Sequence, residues 1–145
     1  ELQTLSHIAE KKITRSRQHY LMIHFPGTYD RLTGMGIMED YSMGYSSHVG
    51  FRAGTCTPFR YYDLMNERET SLMIYPFQLM DRTLKDYMKL QPAEATRKIA
   101  EMIAEVRAVN GTFISIFHNE TFSDADEWEG WLEVYSELLK MAGGI

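Results

Sequence analysis

The segment GTFISIFHNE, residues 111–120, is apolar at Ile114, Ile116 and Phe117 and turns polar at His118, Asn119 and Glu120. This is the pattern of a strand core that delivers a histidine at its carboxyl end, where α/β proteins collect their chemistry. Such a histidine can ligate a metal, shuttle a proton or simply hydrogen-bond a backbone carbonyl. Arg17, in TRSRQHYL, likewise comes where a strand runs out, and by itself reads as a surface charge.

A second stretch, GFRAGTCTPFRYYDL (residues 50–64), places Arg52 among apolar neighbours. Gly50 and Gly54 permit tight backbone paths around it, and Pro58 prevents one regular ladder from running through the segment. Burying an arginine unpaired is costly, so carboxylates, backbone carbonyls or a bound anion must hold it. Asp40, Asp63 and Asp81 are the candidate partners. Arg52 then serves either as an internal ion pair tying two strands together or as a clamp for a sugar hydroxyl or a carboxylate-bearing substrate. Phe59, Tyr61 and Tyr62 can stack on sugar rings or fill the core. Cys56 reads as a small buried residue, because no basic partner stands beside it to stabilise a thiolate.

The five histidines, His7, His19, His24, His48 and His118, include no H-x-H or H-x-x-x-H pair. His19 and His24 fall on opposite faces of any one strand. Zinc requires three or four converging N, S or O ligands, so a complete metal site within this chain is not expected.

The elements that position these residues alternate. Leu2, Leu5, Ile8 and Ala9 mark one face of an opening helix that stops before Ile13. Residues 13–23 read as a strand running into a loop, a short helix follows Pro26 and ends at Gly34 or Gly36, and residues 37–42 form the next strand. Residues 71–81 are rich in strand formers, with Pro76 at an edge or bulge. Pro92 opens a helix whose core face is Ile99, Met102, Ile103, Val106 and Val109, closed by Asn110-Gly111. Residues 112–120 are a short strand, and residues 124–144 a closing helix capped by Ser123 or Asp124. On that helix Trp128 and Trp131 form a packing face with Leu132, Tyr135, Leu138 and Leu139. The alternation predicts α/β architecture, with parallel strands covered by helices.

At 145 residues, with 44% hydrophobic and 24% charged residues, the chain has the composition of one globular domain with a real core. A net charge of −5, with no run of lysines and arginines, gives no electrostatic footprint for nucleic acid. No apolar stretch approaches the length of a membrane span. A single cysteine excludes an internal disulfide and fits a reducing compartment such as the cytoplasm.

SRQHYL, FPGTYDRLTGMGIMEDYSMGY, GFRAGTCTPFRYYDL, PFQLMDRTL and GTFISIFHNE, in this order, resemble the C-terminal part of polysaccharide deacetylase family proteins of the NodB-homology type. The likeness is to a bacterial branch that carries the FRAGTC segment, and it covers nearly all of the chain. It implies a partial, distorted (β/α) barrel and removal of acyl groups, usually N-acetyl, from sugars by a metal-bound water. By this resemblance Arg17, in Arg17-Gln18-His19-Tyr20, orients a catalytic carboxylate. Asp40, in Glu39-Asp40-Tyr41, stands where an aspartate supports the catalytic groups. His118, in Ile116-Phe117-His118, is the general acid that protonates the departing amine. The resemblance puts Arg52 on the active face, and Arg52, Tyr61 and Asn119 are the candidate substrate contacts.

The family's aspartate base, its metal-ligating aspartate and its two histidine ligands all precede the arginine motif. Only 16 residues precede Arg17 here, with one histidine, His7, and no aspartate. The divalent metal, zinc by the family's habit, is therefore expected in a longer protein and not fully ligated by this chain, which by itself is expected to be inactive. Its partners would be a carbohydrate substrate and either the missing N-terminal part of the barrel or a second copy. The other class of function open to it is a non-catalytic glycan-binding or interaction module derived from the same fold.

Overall fold

The computed structural model describes residues 2–123 and 125–143. The element order is α1 (Leu2–Ile8), β1 (Arg15–Ser16), α2 (Gly27–Gly34), β2 (Glu39–Asp40), β3 (Phe59–Asp63), β4 (Arg68–Ile74), β5 (Leu79–Met80), α3 (Pro92–Ala108), β6 (Ser115–Ile116) and α4 (Trp131–Gly143). Helix and strand are mixed, and parallel strands are present, as α/β architecture requires. The chain is organised as two compact units: residues up to Met43 with Pro58–Tyr75, and Gly44–Thr57 with Pro76 onward.

The first unit holds a four-stranded sheet in the order β1-β2-β4-β3. β1 pairs with β2, and β2 with β4, in parallel. β3 runs antiparallel to β4 as a hairpin, which corrects the expectation of parallel strands alternating with helices. The hairpin turn is built by Asp63, which accepts from the Met65 and Asn66 N–H groups and from the Asn66 side chain. An aspartate that satisfies the backbone two and three residues on makes a tight turn without glycine or proline. Tyr29, Leu32, Ile37, Met43, Tyr61, Leu72 and Ile74 are the buried apolar residues of this unit. α1 stops before Ile13, as expected, but already at Ile8, short of Ala9, and none of its residues is buried.

The predicted strands are all cut short, residues 37–42 to β2 and residues 112–120 to β6. Over residues 13–23, read as a strand running into a loop, the strand part is β1, and Tyr20 and Leu21, at left-handed φ values of 55° and 54°, belong to the loop. The one over residues 71–81 splits into β4 and β5 around Pro76, which has no N–H to give to a ladder.

The second unit pairs β5 and β6 in parallel, Leu79 opposite Ser115 and Met80 opposite Ile116. Gln78 extends that pairing by its backbone N–H to the Ile114 carbonyl and by its side-chain oxygen, which accepts from the Ile114 N–H at 2.7 Å. Its own carbonyl takes the Gly50 N–H. α3 begins at Pro92, as predicted, with the Glu94 carboxylate reaching back to the Gln91 N–H. Its buried face is Ala95, Ile99, Met102, Ile103 and Val106; Val109 lies beyond the helix end and is 65% exposed. That face packs with Leu79, Leu84, Trp128, Trp131, Val134 and Leu138.

The closing helix starts later than predicted. Ser123 ends a 3-10 turn, Asp124 lies outside the described residues, and Trp128 belongs to a second 3-10 turn. Gly130, at φ 81°, then breaks the chain before α4 begins at Trp131. Both tryptophans are nonetheless buried, edge to face, as a packing surface.

Two contacts give tests. A Cβ on Gly44 would lie 2.3 Å from the ring of fully buried Phe77, so Gly44→Ala is expected to cost about 1–3 kcal/mol. Urea denaturation checks this, and an unchanged midpoint would contradict the contact. The Asn66 side chain, with the Asn66 and Met65 N–H groups and Arg68, holds the Asp63 carboxyl below its ordinary value of 3.8. A depressed acid stabilises the fold above that value and loses the contribution as pH falls through its folded pKa. Asp63→Asn is therefore expected to lower stability at pH 7 and to make progressively less difference below about pH 4; denaturation at both pH values measures it.

Candidate active site

β5 and β6 end side by side, and each delivers one polar residue. Asp81 follows β5 directly, and His118 comes two residues after β6. Asp81 is wholly buried, and four donors converge on it. Its Oδ1 accepts from His118 Nδ1 at 2.7 Å and from the Arg82 N–H at 2.6 Å. Its Oδ2 accepts from the His118 N–H at 2.6 Å and from the Thr121 hydroxyl. Two donors on each oxygen fill the acceptor sites of an ionised carboxylate.

A carboxylate that only accepts requires Nδ1 of His118 to carry hydrogen, so the tautomer is assigned from its partner. Nε2 is then the nitrogen left to exchange a proton, on a side chain that is 42% exposed. The turn bearing His118 is fixed on its other side by Phe117 and Phe122, both packed on the Tyr135 ring of α4. Arg82 bridges Asp86 and Glu120, and it shares the Trp128 ring with Lys85. A buried carboxylate orienting a part-exposed imidazole is an arrangement for general acid or base catalysis.

The carboxylate on His118 is thus Asp81. Sequence reasoning had Asp81 only as a partner for Arg52, because a contact across 37 residues leaves no mark in local spacing. Asp40 ends β2 in the first unit and is wholly buried. It accepts from the Ser42 N–H and hydroxyl, and the Ser42 oxygen in turn accepts from the Gln18 N–H at 2.8 Å. Burial raises the Asp40 pKa, against the lowering effect of Ser42, Ser16 and Tyr29. Asp40 thereby fixes the backbone beside Arg17, which is exposed just past the end of β1.

Tyr61 belongs to the interior of the first unit. Its ring meets Tyr29 edge to face, and its hydroxyl donates to Asp30 at 3.0 Å. Burial and then Asp30 push that hydroxyl up to about 12. Of the aromatic run, Tyr62 is the exposed member. Arg52, in the second unit, is half-buried and donates to the Gly44 carbonyl at 3.1 Å, the backbone-carbonyl solution. Asn119 is exposed at the start of the turn after His118. Cys56 is buried, and its sulfur occupies the space that a side chain on Gly111 would need.

The metal site that the resemblance implies needs an aspartate and two histidines converging. Among the described residues no three of His, Cys, Asp and Glu do so, and these residues do not fit such a metal. No helix among them is long and apolar enough to cross a membrane. Comparison with protein-family models, with curated proteins and with solved structures finds no match to this chain.

Asp81→Ala strands the Arg82 N–H, the His118 N–H and the buried Thr121 hydroxyl, and is expected to destabilise by about 3 kcal/mol. His118→Gln, at a part-exposed position, should cost about 1 kcal/mol or less. Equal losses for the two variants in urea denaturation would contradict Asp81 as the hub of the turn.

Proposed function

We propose that this chain carries the proton-donating half of a hydrolase that removes acyl groups, N-acetyl foremost, from sugars. The observation that supports this reading is the Asp81–His118 pair at the carboxyl ends of parallel β5 and β6. Amide cleavage stalls unless the departing nitrogen is protonated, since an amide anion is a poor leaving group. An imidazolium whose Nδ1–H is tied to a buried carboxylate keeps its Nε2–H directed at that nitrogen, and gives the proton as the C–N bond breaks. The same residue type and motif position carry this role in the family the sequence resembles.

Arg52 and Asn119, in the same unit as His118, contact sugar hydroxyls. By the resemblance, the base and the metal ligands would be supplied from outside these residues. This chain's own residues orient the substrate and move the proton.

The test joins this chain to the preceding segment of its own coding sequence, supplies Zn²⁺ or Co²⁺, and measures acetate release from N-acetylated sugars. His118→Ala is expected to lower release by at least about 100-fold, the range of a general acid. Absence of release across metals and acylated sugars would overturn the hydrolase reading in favour of a non-catalytic glycan-binding or interaction module. Release that survives His118→Ala would remove the histidine's role.

A further inference from the structure

We infer that Thr121 is a positioning residue for His118, holding the Asp81 carboxylate in the rotation that places Oδ1 against Nδ1. The inference rests on the general-acid role of His118 and says how that role is set up.

The Thr121 side chain is wholly buried, three residues past the histidine, in the 3-10 turn that follows it. Its N–H donates to the His118 carbonyl at 3.2 Å, and its hydroxyl donates to Asp81 Oδ2. The two oxygens of Asp81 do different work. Oδ1 faces the imidazole, while Oδ2 takes the main-chain N–H of His118 and the Thr121 hydroxyl. A carboxylate turns about one bond, so pinning Oδ2 at two points fixes where Oδ1 stands. The Arg82 N–H, the remaining donor, also lies on Oδ1 and leaves Oδ2 to Thr121 and the turn.

The charged groups around the turn are engaged elsewhere: Arg82 with Asp86 and Glu120, and Lys85 with Glu127. Without the threonine hydroxyl, Oδ2 keeps one donor and the carboxylate gains a swing that weakens its hold on Nδ1–H. The imidazole then samples the tautomer with hydrogen on Nε2.

Long-range ¹H–¹⁵N correlation of the histidine rings reads this directly, with His118 assigned by comparison with His118→Gln. In the wild-type chain the neutral form of His118 is expected to be predominantly the Nδ1–H tautomer. Thr121→Val, nearly isosteric but without the hydroxyl, should mix the tautomers, with at least about a threefold rise in the Nε2–H form. Thr121→Ser, which keeps the hydroxyl, should restore the wild-type pattern. A wild-type pattern in Thr121→Val overturns the inference. So does mixing in Thr121→Ser, which would assign the effect to the methyl group, and this variant decides alone should Thr121→Val fail to fold. The measurement needs no substrate, so its outcome is independent of whether acetate is released.

Discussion

The second unit is organised around one buried negative charge. Asp81 is wholly removed from water, a placement that carries a heavy desolvation cost unless donors replace the lost hydration. Its four donors come from its own chain neighbour and from the turn after β6. The requirement to satisfy that carboxylate therefore docks the turn, and docking the turn aims the histidine. The geometry of the site and the closure of the strand pair share a single cause.

Around that charge the packing is arranged to leave little freedom. Gln78 joins β5 to β6 with both its backbone and its side chain, so the two strand ends keep their register where regular pairing covers only two residues. Tyr135 backs the turn through two aromatic contacts, and the α3–α4 core sits beneath Leu79. The first unit repeats the device at smaller scale. There buried Asp40 holds Ser42, and Ser42 holds the backbone at Gln18. In both units a buried aspartate at or just past a parallel strand end fixes a loop through main-chain N–H and hydroxyl donors.

The sequence made some of this legible, for reasons that can be stated. α3 declares itself through Pro92, a regular apolar spacing and Asn110-Gly111, signals that are local and act together. His118 stands out because an apolar run turns polar at it. The sheet was harder. Strands of two residues cannot display an alternation, and the Asp63 turn lacks the glycine or proline that announces a hairpin, so β3 and its antiparallel direction went unread. Asp81 escaped for a different reason. Its partner is distant in the chain, and the same carboxylate types at Asp40 and Asp63 offered equal claims. The start of α4 was placed too early because the apolar face of Trp128 and Trp131 continues across Gly130, although the backbone does not.

The distribution of aromatic residues has a spectroscopic consequence. Both tryptophans of the chain, Trp128 and Trp131, are buried in the second unit, whereas the first carries tyrosines alone among its large fluorophores. Indole emission therefore registers only the melting of the part that contains the histidine. Tyrosines occur in both units, Tyr29 and Tyr61 in contact in the first and Tyr45, Tyr87 and Tyr135 in the second, so near-ultraviolet dichroism follows both while indole emission singles out the second. Comparing the two signals lets the cooperativity between the units be observed without attaching a dye.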